Sequence, residues 1–165
     1  MKWVTRERPK IDRIACPWLI RRFIDPDAAI LYVPTADVLR VAREESAVPF
    51  DVPGVDRTHD GPRCSVDAFL DKYHLGNPAL ARLAEIVRGA DTSRLELAPQ
   101  SAGLFAISLG LSAVFADDQE LLTYGLVLYD ALSLRMVCRP ATRGARLATG
   151  RIPRGVVACT HLPEN

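Results

Sequence analysis

Residues able to do chemistry crowd into two short stretches of the chain. The first is Lys10-Ile11-Asp12-Arg13-Ile14-Ala15-Cys16-Pro17-Trp18-Leu19-Ile20-Arg21-Arg22-Phe23. Proline favours the first position of a helix, so the sequence predicts a short helix over Pro17 to Ile24 with Cys16 at or near its N-cap. A helix N-terminus offers free N–H groups and the positive end of the dipole, which favour a thiolate or a bound anion. Arginine adds a planar fork of donors that matches a tetrahedral oxyanion. The expectation is an anion site of Lys10, Arg13, Cys16, Arg21 and Arg22, with the Cys16 thiol made acidic. The plainer alternative is a surface helix with solvated arginines and a Cys16 that packs as a small hydrophobe. Trp18 reads as core, and Asp12 either neutralises an arginine or serves as a hard oxygen ligand.

The second stretch is Thr58-His59-Asp60-Gly61-Pro62-Arg63-Cys64-Ser65-Val66-Asp67. His59 and Cys64 flank a Gly-Pro turn, close enough to share one ion, and imidazole with thiolate suits zinc, iron or copper. Two ligands do not complete a site, so others, such as Asp12, Asp60, Asp67 or Cys16, have to converge on it. The candidate metal set is His59, Cys64, Asp67 and Asp12, with zinc or iron as the cofactor. A turn histidine and a helix-start cysteine with packing roles would look the same, because no C-x-x-C or H-x-x-H accompanies them. A third pair, Asp91 and Gln100, places a carboxylate and an amide at two helix boundaries, where capping alone would explain Asp91. The chain has no Gly-rich phosphate loop, dinucleotide fingerprint, G-x-S-x-G or H-E-x-x-H, so those enzyme classes lose their usual support.

The elements that would position these residues follow from periodicity and caps. Ile30 to Val33 is a β-favouring run ended by Pro34, and Thr35 or Asp37 can start a helix running to Ala47. Val48 to Gly54 suggests a second short strand and a turn, and Val55 to His59 a third. Ser65 can cap a helix ending near Gly76, without a capping box, since Ala68 stands three residues on. Asn77-Pro78 opens the next helix, Gln100 to Phe115 forms another, and Asp117 or Asp118 caps a last long one. Gly103, Gly110 and three serines in the Gln100 to Phe115 segment permit close approach of a neighbouring helix or a ligand. The fold class expected is α+β, a small N-terminal β-sheet with a mainly α-helical second half.

Composition sets the frame. With 48% hydrophobic and 25% charged residues in 165, one globular core is the default, and no metal or disulfide is needed to fold it. Cysteines 16, 64, 138 and 159 are widely spaced, as suits thiols in a reducing cytoplasm. The first residues hold no apolar run fit for a signal peptide. The run Leu121 to Leu134 is shorter than the roughly 20 residues that span a bilayer. A cytoplasmic location is therefore expected. From Arg135 onward six arginines face one acid, a net +5 against −4 for the rest. The boundaries expected are a domain over 1–134 and a basic Arg-rich tail over 135–165, disordered or foreign to the domain.

The segments K-I-D-R-I-A-C-P-W-L-I-R-R-F-I-D-P, T-H-D-G-P-R-C-S-V-D-A-F, R-G-A-D-T and A-P-Q-S-A-G-L-F-A-I-S-L-G-L-S resemble the chromate-resistance family, in the form found at the C-terminal end of ChrB-type regulators. Lys10, Asp12, Arg13, Cys16, Trp18, Arg21, Arg22 and Asp25 match in the first segment. His59, Gly61, Cys64, Ser65 and Asp67 match in the second, and Asp91, Pro99 and Gly103 beyond it. Gln100 stands where the family usually has glutamate, and Val66 where it has an aromatic residue. The resemblance implies a role in sensing or resisting chromate. Its members occur alone or joined to a regulatory or sulfurtransferase-like domain, which makes such a domain the expected partner. The leading expectation is an accessory or sensor domain that binds chromate, a similar oxyanion or a metal ion. The alternatives are a metal-dependent redox or detoxifying enzyme using His59, Cys64 and a carboxylate, and a DNA-associated regulator with a salt-sensitive basic tail. Without the family's regulatory region, DNA binding is not expected of this chain alone.

Overall fold

The computed structural model describes residues 1–137. Three parallel strands, β1 (Lys2–Arg6), β2 (Ala29–Val33) and β3 (Val48–Pro49), form a sheet in the order β2-β1-β3. Six helices accompany it: α1 (Ile11–Leu19), α2 (Val38–Glu44), α3 (Ser65–Lys72), α4 (Pro78–Asp91), α5 (Ser101–Val114) and α6 (Asp118–Val137). This is the α+β arrangement expected, with the sheet at the N-terminus and helices filling the second half. The expected run from Val55 to His59 forms bends rather than a strand. The central strand is instead β1, in which Trp3, Val4 and Thr5 are all buried.

Side chains alternate across β1, so the two faces of the sheet bury different things. Trp3 joins the main core with Phe50, Phe69 and the apolar faces of α1, α4 and α6. Val4 points the other way, into a small core with Val38, Ala47 and Val52 under α2.

The helix carrying the first motif begins six residues earlier than the proline suggests. Pro17 sits inside α1, and Cys16 is fully buried mid-helix rather than at an N-cap. Proline in a helix interior leaves the carbonyl four residues back without its usual N–H donor. Here that carbonyl belongs to Arg13, and the Tyr32 hydroxyl of β2 donates to it at 3.0 Å. Beyond Leu19 the helix widens into a π turn over Ile20–Ile24.

Three contacts fix α1 against α6. Gly125 faces the Ile14 side chain, and a Cβ there would collide with it, so the glycine sets how closely the two helices approach. Tyr129 donates to the Ile11 carbonyl at 2.9 Å. Asp130 accepts from the Trp18 indole at 2.8 Å and from both forks of Arg22 at 2.8 and 2.6 Å.

The helix starts at Asn77 and Asp117 follow the capping expectation: Asn77 Oδ1 accepts from Ala79 N, and Asp117 Oδ1 from Glu120 N. At α3 the cap is Cys64 rather than Ser65, and a capping box is present after all. Asp67, three residues on, accepts from the Cys64 N–H at 3.0 Å.

Candidate metal centre

In a parallel sheet every strand's C-terminal end lies at the same edge, and ligands favour the crevice where the connections part to opposite sides. With the order β2-β1-β3, the chain leaves β1 towards β2 and returns to the far side of β1 as β3, so that point lies between β1 and β3. Asp12 lies in the first turn of α1, the helix that follows β1, and Asp51 lies two residues past β3. Both carboxylates are buried, at 3% and 2% exposure, in a region where an unpaired charge would be costly.

The loop from β3 to α3 carries His59 back to them. His59 Nε2 lies 3.0 Å from Asp12 Oδ2, 3.1 Å from Asp91 Oδ2 at the end of α4, and 3.7 Å from Asp51 Oδ1. Asp12, His59 and Asp91 can each offer one ligand atom, all within 4.8 Å of one another. The hydrogen bonds to Asp12 and then Asp91 hold His59 as an imidazolium, its pKa raised to about 10 against partial burial. Asp51 is fixed by Arg6 at 2.6 Å, by Arg13 at 3.3 Å and by the Ser65 hydroxyl at 2.8 Å. Burial first and Asp12 second raise its pKa, while Arg6 and Ser65 oppose them. Its backbone has φ +52°, a left-handed conformation strained for a non-glycine residue and common at functional sites.

Two carboxylates and one imidazole, partly open to solvent through His59, make a three-donor set that leaves coordination positions free. Oxygen-rich donors with a single nitrogen suit manganese, iron or zinc better than soft ions.

The sequence profile of the family described as ChrB, C-terminal domain, matches residues 3–136, nearly all of the described residues. The chain belongs to this family. Protein ChrB of Cupriavidus metallidurans is 35% identical over 122 residues, which are 73% of this chain and 36% of that protein. The chain thus spans about a third of its relative's length. No solved structure matches.

Within this ChrB C-terminal domain the residues singled out in the sequence scatter more than their spacing implied. Of the proposed metal set, Asp12 and His59 meet. Asp67 instead forms a bidentate pair with Arg88 at 2.9 Å, tying α3 to α4, and Cys64 caps α3. The cations of the proposed anion set have separate partners: Arg13 holds Asp51, Arg22 holds Asp130, and Arg21 donates to the Ala28 carbonyl. Lys10 is exposed at the N-cap of α1, and Trp18 is core. Asp91 joins the site, whereas Gln100 lies exposed ahead of α5. Asp51 was not among the residues singled out from the sequence. Its only sequence signal is its place just after a short strand.

The two cysteines behave opposite to the thiolate expectation. Burial first, then the neighbouring Asp12 and Asp51 charges, push the Cys16 thiol well up, and burial followed by Asp12 does the same for Cys64. Cys16 lies one helical turn beyond Asp12 in α1, and both thiols are buried. In the native protein both should alkylate at least ~100-fold more slowly than a free thiol of pKa about 8.5. Mass-spectrometric mapping of iodoacetamide labelling, with and without urea, checks this. Fast labelling of Cys16 in the native state would restore the reactive-thiol reading.

No helix among the described residues is long and apolar enough to cross a membrane. Of the expected basic tail, Arg135, Met136 and Val137 belong to α6, and residues from 138 on lie outside the described residues.

Proposed function

We propose that this chain acts in chromate resistance as a metal-binding domain, with Asp12, His59 and Asp91 holding one transition-metal ion. The observation that supports this reading is the meeting of three donors from α1, the β3–α3 loop and α4 at the sheet's switch point. A bound metal would supply Lewis acidity and open coordination positions. The chain's own residues would do the rest: Arg6, Arg13 and the Ser65 hydroxyl hold Asp51 in place beside the imidazole.

An oxyanion fits this geometry as a ligand of the metal better than as a guest of arginines. The cations near the site are already engaged, His59 with Asp12 and Asp91, Arg6 and Arg13 with Asp51, and Arg22 with Asp130, so none is left over for a free dianion. Chromate sensing or handling would then depend on the metal.

Calorimetric titration of the purified, metal-stripped chain with Mn2+, Zn2+ and, anaerobically, Fe2+ tests the reading. One ion per chain is expected, with binding lost in His59→Ala, together with loss of any protection the chain confers on cells grown in chromate. Unchanged binding in His59→Ala would place the metal elsewhere and overturn the assignment.

A further inference from the structure

Asp51 is buried beside the imidazole yet lies outside the three-donor set. Its left-handed backbone is held by a bond from its own N–H to the Arg57 carbonyl at 2.7 Å. The two side-chain oxygens differ in their surroundings. Oδ2 is turned to the arginines, 2.6 Å from Arg6 and 3.3 Å from Arg13. Oδ1 accepts from the Ser65 hydroxyl at 2.8 Å and faces His59 Nε2 across 3.7 Å, too far for a hydrogen bond. A carboxylate oxygen can accept twice, so Oδ1 keeps one acceptor position that no donor fills among the described residues. A buried acceptor left unused, on a strained backbone, calls for a reason.

The distances from His59 supply one. Donor atoms on adjacent positions of an octahedral ion with bonds of ~2.1 Å lie about 3.0 Å apart. Asp12 and Asp91, at 3.0 and 3.1 Å from Nε2, fit that spacing. Oδ1 of Asp51 is set back from it, at the depth of a group that hydrogen-bonds to what an ion holds rather than to the ion. Paired with two guanidinium groups, the Asp51 carboxylate is an acceptor at both oxygens, so whatever meets Oδ1 must bring a hydrogen. His59 also lines an open hollow of about 580 Å³ with Thr58, Arg63 and Cys64, which gives a small ligand a way in from solvent.

Resting on the metal assignment above, we infer that Asp51 is a specificity-determining residue: the ion takes a tetrahedral oxyanion that still carries a proton, the O–H of that oxyanion donates to Asp51 Oδ1, and fully deprotonated oxyanions of the same shape are rejected. A site built to hydrogen-bond a ligand hydroxyl strongly rejects the analogue lacking it, because its buried polar group is then left unpaired. Phosphate and arsenate keep a proton near neutral pH, chromate keeps one on part of its population, and sulfate keeps none. Asp51 therefore admits chromate in its hydrogen form and excludes the sulfate that matches it in shape.

The test uses the full chain saturated with Mn2+, its metal content measured in the same samples, and calorimetric titration near neutral pH with phosphate, sulfate and monofluorophosphate. Hydrogenphosphate and monofluorophosphate share charge and shape and differ only in a hydroxyl against a fluorine. The wild type should bind phosphate at least ~100-fold more tightly than either of the others. In Asp51→Asn the arginines keep the remaining carbonyl oxygen and the amide nitrogen, a donor, takes the place of Oδ1, so the preference for phosphate should fall at least ~30-fold. If Asp51→Asn fails to fold, the fluorophosphate comparison in the wild type decides. A chain that binds no metal overturns the metal assignment and this inference with it. A metal-loaded chain that takes none of the three anions, takes them alike, or keeps its preference in Asp51→Asn overturns this inference alone.

Discussion

Asp12→Asn should weaken metal binding by roughly 100-fold or more, because it removes one of three ligands, and loss of supporting groups alone costs metal sites 10- to 100-fold. The variant keeps shape and volume, so folding should survive. A pH signature separates this from a generic defect. His59 carries a proton up to a pKa of about 10, held there mainly by Asp12 and then by Asp91. A metal must displace that proton, so near pH 7.5 the wild type should release about one proton from His59 per ion, with affinity rising about tenfold per pH unit until the imidazole is neutral. Without Asp12 the imidazole loses its strongest partner and its pKa falls, so proton release and the pH slope should both diminish. Calorimetry in buffers of different ionisation enthalpy reads the proton count. A wild type that binds with no proton release would mean that His59 is not a ligand.

Trp3→Ala should destabilise the protein by about 3–5 kcal/mol, a large part of the 5–15 kcal/mol that holds a typical domain together. Trp3 is 1% exposed on the central strand, and its ring contacts Phe50, Phe69 and Tyr73 while Arg57 lies over its face at 5.9 Å. Trp3→Phe should cost only about 1–2 kcal/mol, since the ring packing largely remains. Urea unfolding compares the three proteins. Because Phe50 precedes Asp51, the alanine variant should also loosen the carboxylate beside His59 and weaken metal binding. An alanine variant as stable as the phenylalanine one would show that the aromatic cluster is not what holds β1.

Much of the helical half was readable, because Asn77-Pro78 and Asp117 act locally: the cap and the helix it starts are neighbours in sequence. The failures share a cause in distance. Pro17 reads as a helix start until Tyr32, fifteen residues on, occupies the carbonyl the proline leaves free. No strand was expected over Lys2 to Arg6, whose place in the middle of a sheet depends on pairing with β2 and β3 on both sides. The site divides the same way. His59 and Asp12 were visible as chemistry-bearing residues, and the resemblance pointed to Asp91. Asp51 becomes legible only once the strand order is known. Cys64 and Asp67 looked like ligands because a capping box uses the same side-chain types that metals do.

The Tyr32 bond to the Arg13 carbonyl also bears on how the molecule opens. One rung of the α1 ladder closes through a side chain on β2, so opening that turn of the helix also costs a bond to the strand. The amide protons of α1 and β2 should therefore exchange with solvent as one cooperative unit, protected together and lost together. Tyr32→Phe would uncouple them: α1 would exchange sooner while β2 kept its protection, leaving Asp12 mounted on a segment that opens independently of the sheet beneath it.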